Sequence, residues 1–162
     1  MANKIQSLRI LIFVSLIALL GFTSDHSVKP FVKGSFLEIQ QQYVDKPYLL
    51  LFWGIDCAYC MKELAMLGKL LEAYPDVKVV TVATDPFLES SIVLNKISGF
   101  GLIQAQNWVF ANDHPEILYF DVEKRWRGEL PLTYLYDGEQ LISHSGMLKK
   151  ADVLIWLNNL GL

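Results

Sequence analysis

Residues 48–60 of the chain read Tyr48-Leu49-Leu50-Leu51-Phe52-Trp53-Gly54-Ile55-Asp56-Cys57-Ala58-Tyr59-Cys60. The first six are apolar, which is typical of a strand that is buried on both faces of a sheet. The spacing of apolar residues after this stretch predicts a helix from Cys57 to Tyr74, ended near Pro75. Cys57 and Cys60 are the two cysteines of the sequence. The pattern therefore places both thiols at the junction of a strand and a helix.

Two cysteines at this spacing are better explained by chemistry than by stability, because closing a very short loop removes little chain entropy. A thiolate rather than a thiol attacks a disulfide, and a helix N-terminus lowers the pKa of a cysteine. We therefore expect Cys57 to be the nucleophile and Cys60 to be the resolving thiol. Asp56 is expected either to cap the helix, which we favour, or to oppose the thiolate with its charge.

The rest of the chain predicts an α/β domain with a central mixed sheet and helices on both faces. A second buried strand over residues 76–84 completes a βαβ unit with the first strand and its helix. A hairpin is indicated where Asp137-Gly138-Glu139 separates two apolar segments. The other predicted elements are helices over 36–43, 87–97 and 148–160, a short strand over 108–110, and a short helix from His114.

The N-terminus has the pattern of a targeting segment. Lys4 and Arg9 flank the start of an apolar run that extends from Ile10 to Phe22. This run is shorter than the roughly 20 residues of a comfortable membrane span and suits a signal-peptide core. We expect residues 1–24 to be a cleaved signal peptide or a retained membrane anchor, residues 25–35 to be a linker, and residues 36–162 to be the domain. Export would allow a disulfide to persist.

Composition excludes some functions and leaves others open. The chain is 52% hydrophobic and carries a formal charge of -3, so no basic surface indicates a nucleic-acid partner. A structural zinc site is disfavoured, because there is no second cysteine pair and no pair of histidines at metal-binding spacing. Binding of Cu(I) by the Cys57 and Cys60 thiolates, in a copper-handling or metal-site assembly protein, is the alternative. We expect no cofactor beyond a redox-active Cys57–Cys60 disulfide.

The segment from Phe52 to Cys60 resembles the active-site segment of the thioredoxin-like superfamily. Glu63, three residues after Cys60, matches the C-x-x-C-x-x-E pattern of its TlpA/ResA-like branch. The segment from Gly128 to Gly138 is similar to the family's later motif, in which the proline is cis and faces the cysteines. The resemblance covers about residues 36–160 and implies a thioredoxin-like fold with an insertion, over residues 102–129, between the two motifs.

The resemblance implies an extracytoplasmic thiol–disulfide oxidoreductase that exchanges disulfides with protein thiols. It implies a bacterial periplasmic location, in soluble form or anchored to the inner membrane, and a redox partner in or outside that membrane. It favours a reductant, for example in cytochrome c maturation. Pro131 would be the cis-proline, and Leu130 would offer backbone groups to a substrate peptide. Trp53 and Tyr59 are the further substrate-binding candidates.

Four positions depart from the family pattern. Asp56 replaces a frequent tryptophan, Ala58-Tyr59 lacks the frequent proline, and Ala65 replaces a helix proline. Leu51 stands where plain thioredoxins have a buried carboxylate. The redox potential therefore does not carry over from the family. Glu63 is expected either to substitute in proton transfer or to face water, as most helix glutamates do.

Overall fold

The computed structural model of the protein describes residues 27–161. Within this range the chain forms six strands and five helices. In chain order they are β1 (Val28–Phe31), α1 (Ser35–Gln42), β2 (Tyr48–Trp53), α2 (Ala58–Leu71), β3 (Lys78–Ala83), α3 (Ser90–Gly99), β4 (Gln106–Phe110), α4 (Pro115–Val122), β5 (Leu132–Tyr136), β6 (Leu141–Ser145) and α5 (Lys150–Asn159).

The predicted signal peptide or anchor, residues 1–24, lies outside the described residues. Across residues 27–161, none of the helices combines the length and the apolar character that a membrane crossing requires.

The strands form one mixed sheet in the order β1-β4-β3-β2-β5-β6. Strands β1, β4, β3 and β2 run parallel to one another, whereas β5 is antiparallel to both β2 and β6. This is the predicted mixed sheet. The parallel pair β2–β3 joined by α2 is the predicted βαβ unit, and β5–β6 is the predicted hairpin.

All six residues of β2 are buried, because helices cover both faces of the sheet. Leu49, Leu51 and Trp53 face one core cluster together with residues of α2, α3 and α5. The alternate residues of the strand face a second cluster that includes residues of α1 and α4 and is rich in aromatic rings. An uninterrupted apolar strand is therefore what this position requires.

The predicted linker over residues 25–35 is corrected by the structure. Residues 28–31 form β1, which pairs in parallel with β4 at one edge of the sheet. Phe31 is completely buried and its ring stacks on that of Phe110. Lys29 and Pro30 gave the segment a linker-like composition. Proline is tolerated in an edge strand, because one side of that strand has no neighbouring strand with which to form hydrogen bonds. The folded domain therefore includes residues before 36.

The predicted insertion over residues 102–129 belongs partly to the sheet. It supplies β4, which lies between β1 and β3, and α4, which packs on the aromatic-rich face through Leu118 and Val122. The segment therefore widens the sheet on the parallel side, away from the hairpin.

Candidate active site

The two cysteines lie where β2 ends and α2 begins, and they form a disulfide with their Cα atoms 5.2 Å apart. Cys57 is the N-cap of α2, and its Sγ accepts a hydrogen bond from the Cys60 N–H at 3.1 Å. Cys57 is partly exposed, whereas Cys60 is completely buried. An incoming group therefore meets Cys57 first, and Cys60 lies behind it.

Asp56 is not the helix cap that we favoured. Cys57 occupies that position, and the Asp56 side chain is exposed. The loop before Cys57 is held instead by Asp85, whose Oδ2 accepts a hydrogen bond from the Ile55 N–H at 2.8 Å. Asp85 follows β3, which runs parallel and adjacent to β2. The carboxyl ends of adjacent parallel strands meet at the same edge of a sheet, and this rule could have suggested the contact.

The Leu130–Pro131 peptide bond is cis, as the resemblance implied. Pro131 directly precedes β5, whose first residue Leu132 pairs with Phe52 near the end of β2. A Cβ atom on Gly54 would lie 3.1 Å from Cδ1 of Leu130, so the loop before Cys57 packs closely against the Leu130–Pro131 segment. The structure thus brings the two sequence motifs together.

The two aromatic candidates have different surroundings. Tyr59 is 61% exposed between the cysteines, and the Nζ of Lys62 lies 5.3 Å from the centroid of its ring. Trp53 is completely buried in the core cluster beneath α2. The expectation that Trp53 contacts substrate is therefore not met, because its side chain offers no surface, whereas Tyr59 is open to a partner.

Glu63 is completely buried, so the expectation that it faces water is wrong. It follows Cys60 by one helical turn and lies on the same buried face of α2 as Leu64 and Leu67. The Thr133 hydroxyl donates a hydrogen bond to Glu63 Oε1, and the Leu148 N–H donates one to Oε2 at 2.7 Å.

Burial dominates the electrostatics of this carboxyl group. Removal from water raises the pKa of Glu63 above its ordinary value, because the charged form loses hydration. The hydrogen bonds from Thr133 and Leu148 and the nearby His144 act in the opposite direction without cancelling the effect. A buried carboxyl group with a raised pKa, one turn from a redox-active thiol, is suited to accept and return a proton.

Sequence reasoning missed Asp85, Thr133 and Leu148 at this site. Thr133 pairs with Leu51 across β2 and β5. It therefore lies next to the position at which plain thioredoxins have a buried carboxylate and this chain has Leu51. Among residues 27–161, no cluster of three or more histidine, cysteine, aspartate or glutamate side chains is arranged to hold a metal ion.

The architecture is that of a thioredoxin-like fold with a C-x-x-C disulfide at the first turn of α2. The chain matches no protein-family model and no curated protein. Solved structures do match it. A secreted Mycobacterium tuberculosis disulfide oxidoreductase homologous to E. coli DsbE superposes with a TM-score of 0.57 at 17% identity, over 74% of this chain and 85% of that one.

Two other solved structures give the same result. A thio-disulfide isomerase from Thermus thermophilus has a TM-score of 0.53 at 21% identity and covers 72% of this chain and 80% of its own. A thiol:disulfide interchange protein of the thioredoxin family from Chlorobium tepidum has a TM-score of 0.56 at 16% identity, with 74% and 83% covered. These likenesses confirm the thioredoxin-like fold.

Proposed function

We propose that the protein is an extracytoplasmic thiol–disulfide oxidoreductase that exchanges disulfides with protein thiols. The observation that carries the proposal is the partly exposed Cys57, joined to the buried Cys60 at the start of α2 and placed beside cis-Pro131. The solved neighbours are described as disulfide oxidoreductases or isomerases, and this agrees with the proposal.

The reaction is a two-electron exchange. In the reducing direction, the Cys57 thiolate attacks one sulfur of a substrate disulfide, and the other substrate sulfur leaves as a thiolate. Cys60 then loses its proton and attacks the Cys57 sulfur, which forms the Cys57–Cys60 disulfide and releases the second substrate thiolate. The substrate gains two electrons and the protein loses two. The helix N-terminus supports the first step because its dipole stabilises the thiolate of its N-cap residue.

Glu63 is proposed as the group that takes the Cys60 proton. It lies one turn after Cys60 on the same face of α2, it is shielded from water, and burial raises its pKa. A carboxyl group of raised pKa accepts a proton from a thiol more readily than an ordinary one does.

Substrate binding is proposed at the surface around Cys57. Leu130 is partly exposed directly before cis-Pro131, so its backbone could pair with an extended peptide as an added strand. The exposed ring of Tyr59 would contact apolar side chains of the same peptide. Pro131 itself is buried, and its carbonyl oxygen accepts a hydrogen bond from the Gly146 N–H at 2.8 Å. Its contribution is therefore to shape the backbone next to the disulfide.

The finer assignments rest on the family resemblance. We propose that the protein acts as a reductant in the bacterial periplasm, either in soluble form or anchored to the inner membrane through residues 1–24. Its electrons would come from a membrane or extracytoplasmic redox partner. Its substrates would be oxidised cysteines such as those of apoproteins in cytochrome c maturation.

The test is to trap the substrate in cells. In a Cys60→Ser variant the mixed disulfide cannot resolve, so Cys57 should accumulate covalent adducts that a reducing agent releases. A Cys57→Ser, Cys60→Ser double variant is the matched control and should trap nothing. The proposal fails if the Cys60→Ser protein forms no more adducts than this control. The identity of the trapped partner gives both the substrate and the direction of electron flow.

The alternative function is copper handling, in which Cys57 and Cys60 bind Cu(I) instead of exchanging disulfides. Stoichiometric Cu(I) binding by the reduced protein, lost in Cys57→Ser and accompanied by no turnover of a disulfide substrate, would assign the thiolates to metal binding.

A further inference from the structure

A cleft of about 280 Å³ lies between the β5–β6 hairpin and α5, away from the Cys57 surface. Leu135, Leu148 and Trp156 form part of its apolar wall. His144 lines it from β6, Asp152 from α5 and Asp137 from the turn of the hairpin. The cleft is open to solvent, and the proposed redox mechanism makes no use of it.

This cleft adjoins both groups that hold the Glu63 carboxylate. His144 lies directly opposite Thr133 in the β5–β6 register, so their side chains are neighbours on the same face of the sheet. The Thr133 hydroxyl is the donor to Glu63 Oε1. Leu148, whose N–H is the donor to Glu63 Oε2, lies in the wall of the cleft.

Glu63 needs a route to solvent if it works in each catalytic cycle. Its side chain is completely buried, and Cys60 on the same helix face is completely buried too. A proton taken from Cys60 therefore cannot pass directly to bulk water. Besides Glu63, the titratable side chain that the sheet register places beside Thr133 is that of His144, which is partly exposed in the cleft. Histidine is the side chain that most readily gains and loses a proton near neutral pH.

We propose that His144 is a proton-relay residue, which connects the buried Glu63 to the water of the cleft. It acts on the redox pair only through Glu63. The proposal rests on the oxidoreductase function proposed above. It assigns a role to the cleft and adds to the reaction a residue that does not touch the substrate.

The proton balance is as follows in the reducing direction. When Cys60 attacks Cys57, its thiol proton passes to the Glu63 carboxylate. The resulting carboxyl group then donates a proton to the neutral imidazole of His144, with the Thr133 hydroxyl between them as acceptor and donor. The imidazolium finally releases a proton to the water of the cleft. Glu63 and His144 both end the cycle in their starting states, and no electron passes through either.

Several carboxyl groups lie around His144. Asp137 accepts hydrogen bonds from the N–H groups of Gln140 and Glu139 at 2.7 and 2.8 Å, and these hold the pKa of its carboxyl below the ordinary value. Asp152 lines the cleft from α5. Glu63, on α2, interacts electrostatically with His144. Carboxyl groups on three elements thus lie around His144, and its partial exposure in the cleft allows exchange with water.

The test uses Ellman's reagent as the disulfide substrate of the reduced protein, because each cysteine step releases one coloured thiolate. Attack by Cys57 gives the first release, and attack by Cys60 on the mixed disulfide gives the second. In His144→Gln the first phase should be unchanged, and the second should slow roughly tenfold near neutral pH with an altered pH profile. Added imidazole, which fits the open cleft, should restore the rate. Urea unfolding of the variant checks that it remains folded.

His114→Gln is the matched control, since His114 is an exposed histidine at the start of α4 that contacts Glu116 and does not line the cleft. It should leave both phases at the wild-type rate. The relay is refuted if the second phase of His144→Gln keeps the wild-type rate and pH profile, or if it slows without rescue by imidazole. Absence of the first phase in the wild-type protein would instead refute the oxidoreductase function, so the two failures are distinct.

Discussion

Replacement of Glu63 by glutamine should make the stability of the protein less dependent on pH. The carboxyl group is completely buried and is held by the Thr133 hydroxyl and the Leu148 N–H. Glutamine has nearly the same shape, and its amide oxygen can still accept the hydrogen bond from Leu148. The variant therefore removes the titration of residue 63 while it disturbs the packing little.

The sign follows from the raised pKa of Glu63, which burial causes. As pH rises past the ordinary glutamate value, the unfolded chain loses this proton while the folded protein keeps it. The stability that the neutral carboxyl contributes is therefore complete below the unfolded pKa and is lost as pH rises through the folded pKa. Within that window, the free energy of unfolding of the wild type should fall by about 1.4 kcal/mol per pH unit relative to Glu63→Gln.

The assay is urea unfolding of both oxidised proteins at intervals from about pH 4 to pH 8, a range that spans ordinary and raised carboxyl pKa values. The oxidised form is used because disulfide-bonded cysteines do not titrate. We expect the stability difference to favour Glu63→Gln increasingly up to the folded pKa and to be constant above it. A difference that stays constant over the whole range would show that Glu63 has the same pKa folded and unfolded, and the account of its burial would be wrong.

Two further pairs of variants test the packing and the site. Gly68→Ala should lower the free energy of unfolding by about 2 kcal/mol in urea titrations, because its Cβ would lie 1.7 Å from the Phe100 carbonyl oxygen. Gly99→Ala, whose Cβ would meet no atom within 4 Å, should cost nothing. Asp85→Ala should leave the Ile55 N–H without its acceptor, destabilise the protein by about 1–3 kcal/mol and slow alkylation of reduced Cys57. Asp85→Asn, which keeps an oxygen acceptor, should restore most of both. Equal effects of the two glycine replacements, or of the two Asp85 variants, would contradict these predictions.

Local sequence pattern was sufficient for the elements that are apolar or carry turn signals. Strand β2 was predicted with its observed bounds, because all six of its residues are buried and apolar. The hairpin followed from Asp137-Gly138, where Gly138 has a φ of 106°. Strand β1 was missed because it is a short edge strand that contains Lys29 and Pro30, and only its pairing with β4 makes it a strand.

The cysteine pair and the cis-proline of the site were also predictable, since motifs carry them. The partners of Glu63 were not. Periodicity places Glu63 on a helix face, but the donors that satisfy its buried carboxyl group come from β5 and from the loop before α5, 70 and 85 residues away in the chain. The same holds for Asp85, which caps the Ile55 N–H from the neighbouring strand end. Contacts at this range depend on the topology of the sheet, which local pattern does not contain.

The central claim is that Cys57 and Cys60 form a working redox couple, and the rate of disulfide exchange tests it most directly. The reduced protein is mixed with a disulfide-bonded protein substrate, and the free thiols of each of the two proteins are counted separately by alkylation and mass spectrometry. Cys57→Ser and Cys60→Ser variants are followed in parallel. We expect the wild type to reduce one substrate disulfide per molecule, Cys60→Ser to stop at a mixed disulfide, and Cys57→Ser to be inert. A wild type that reacts no faster than Cys57→Ser would contradict the account.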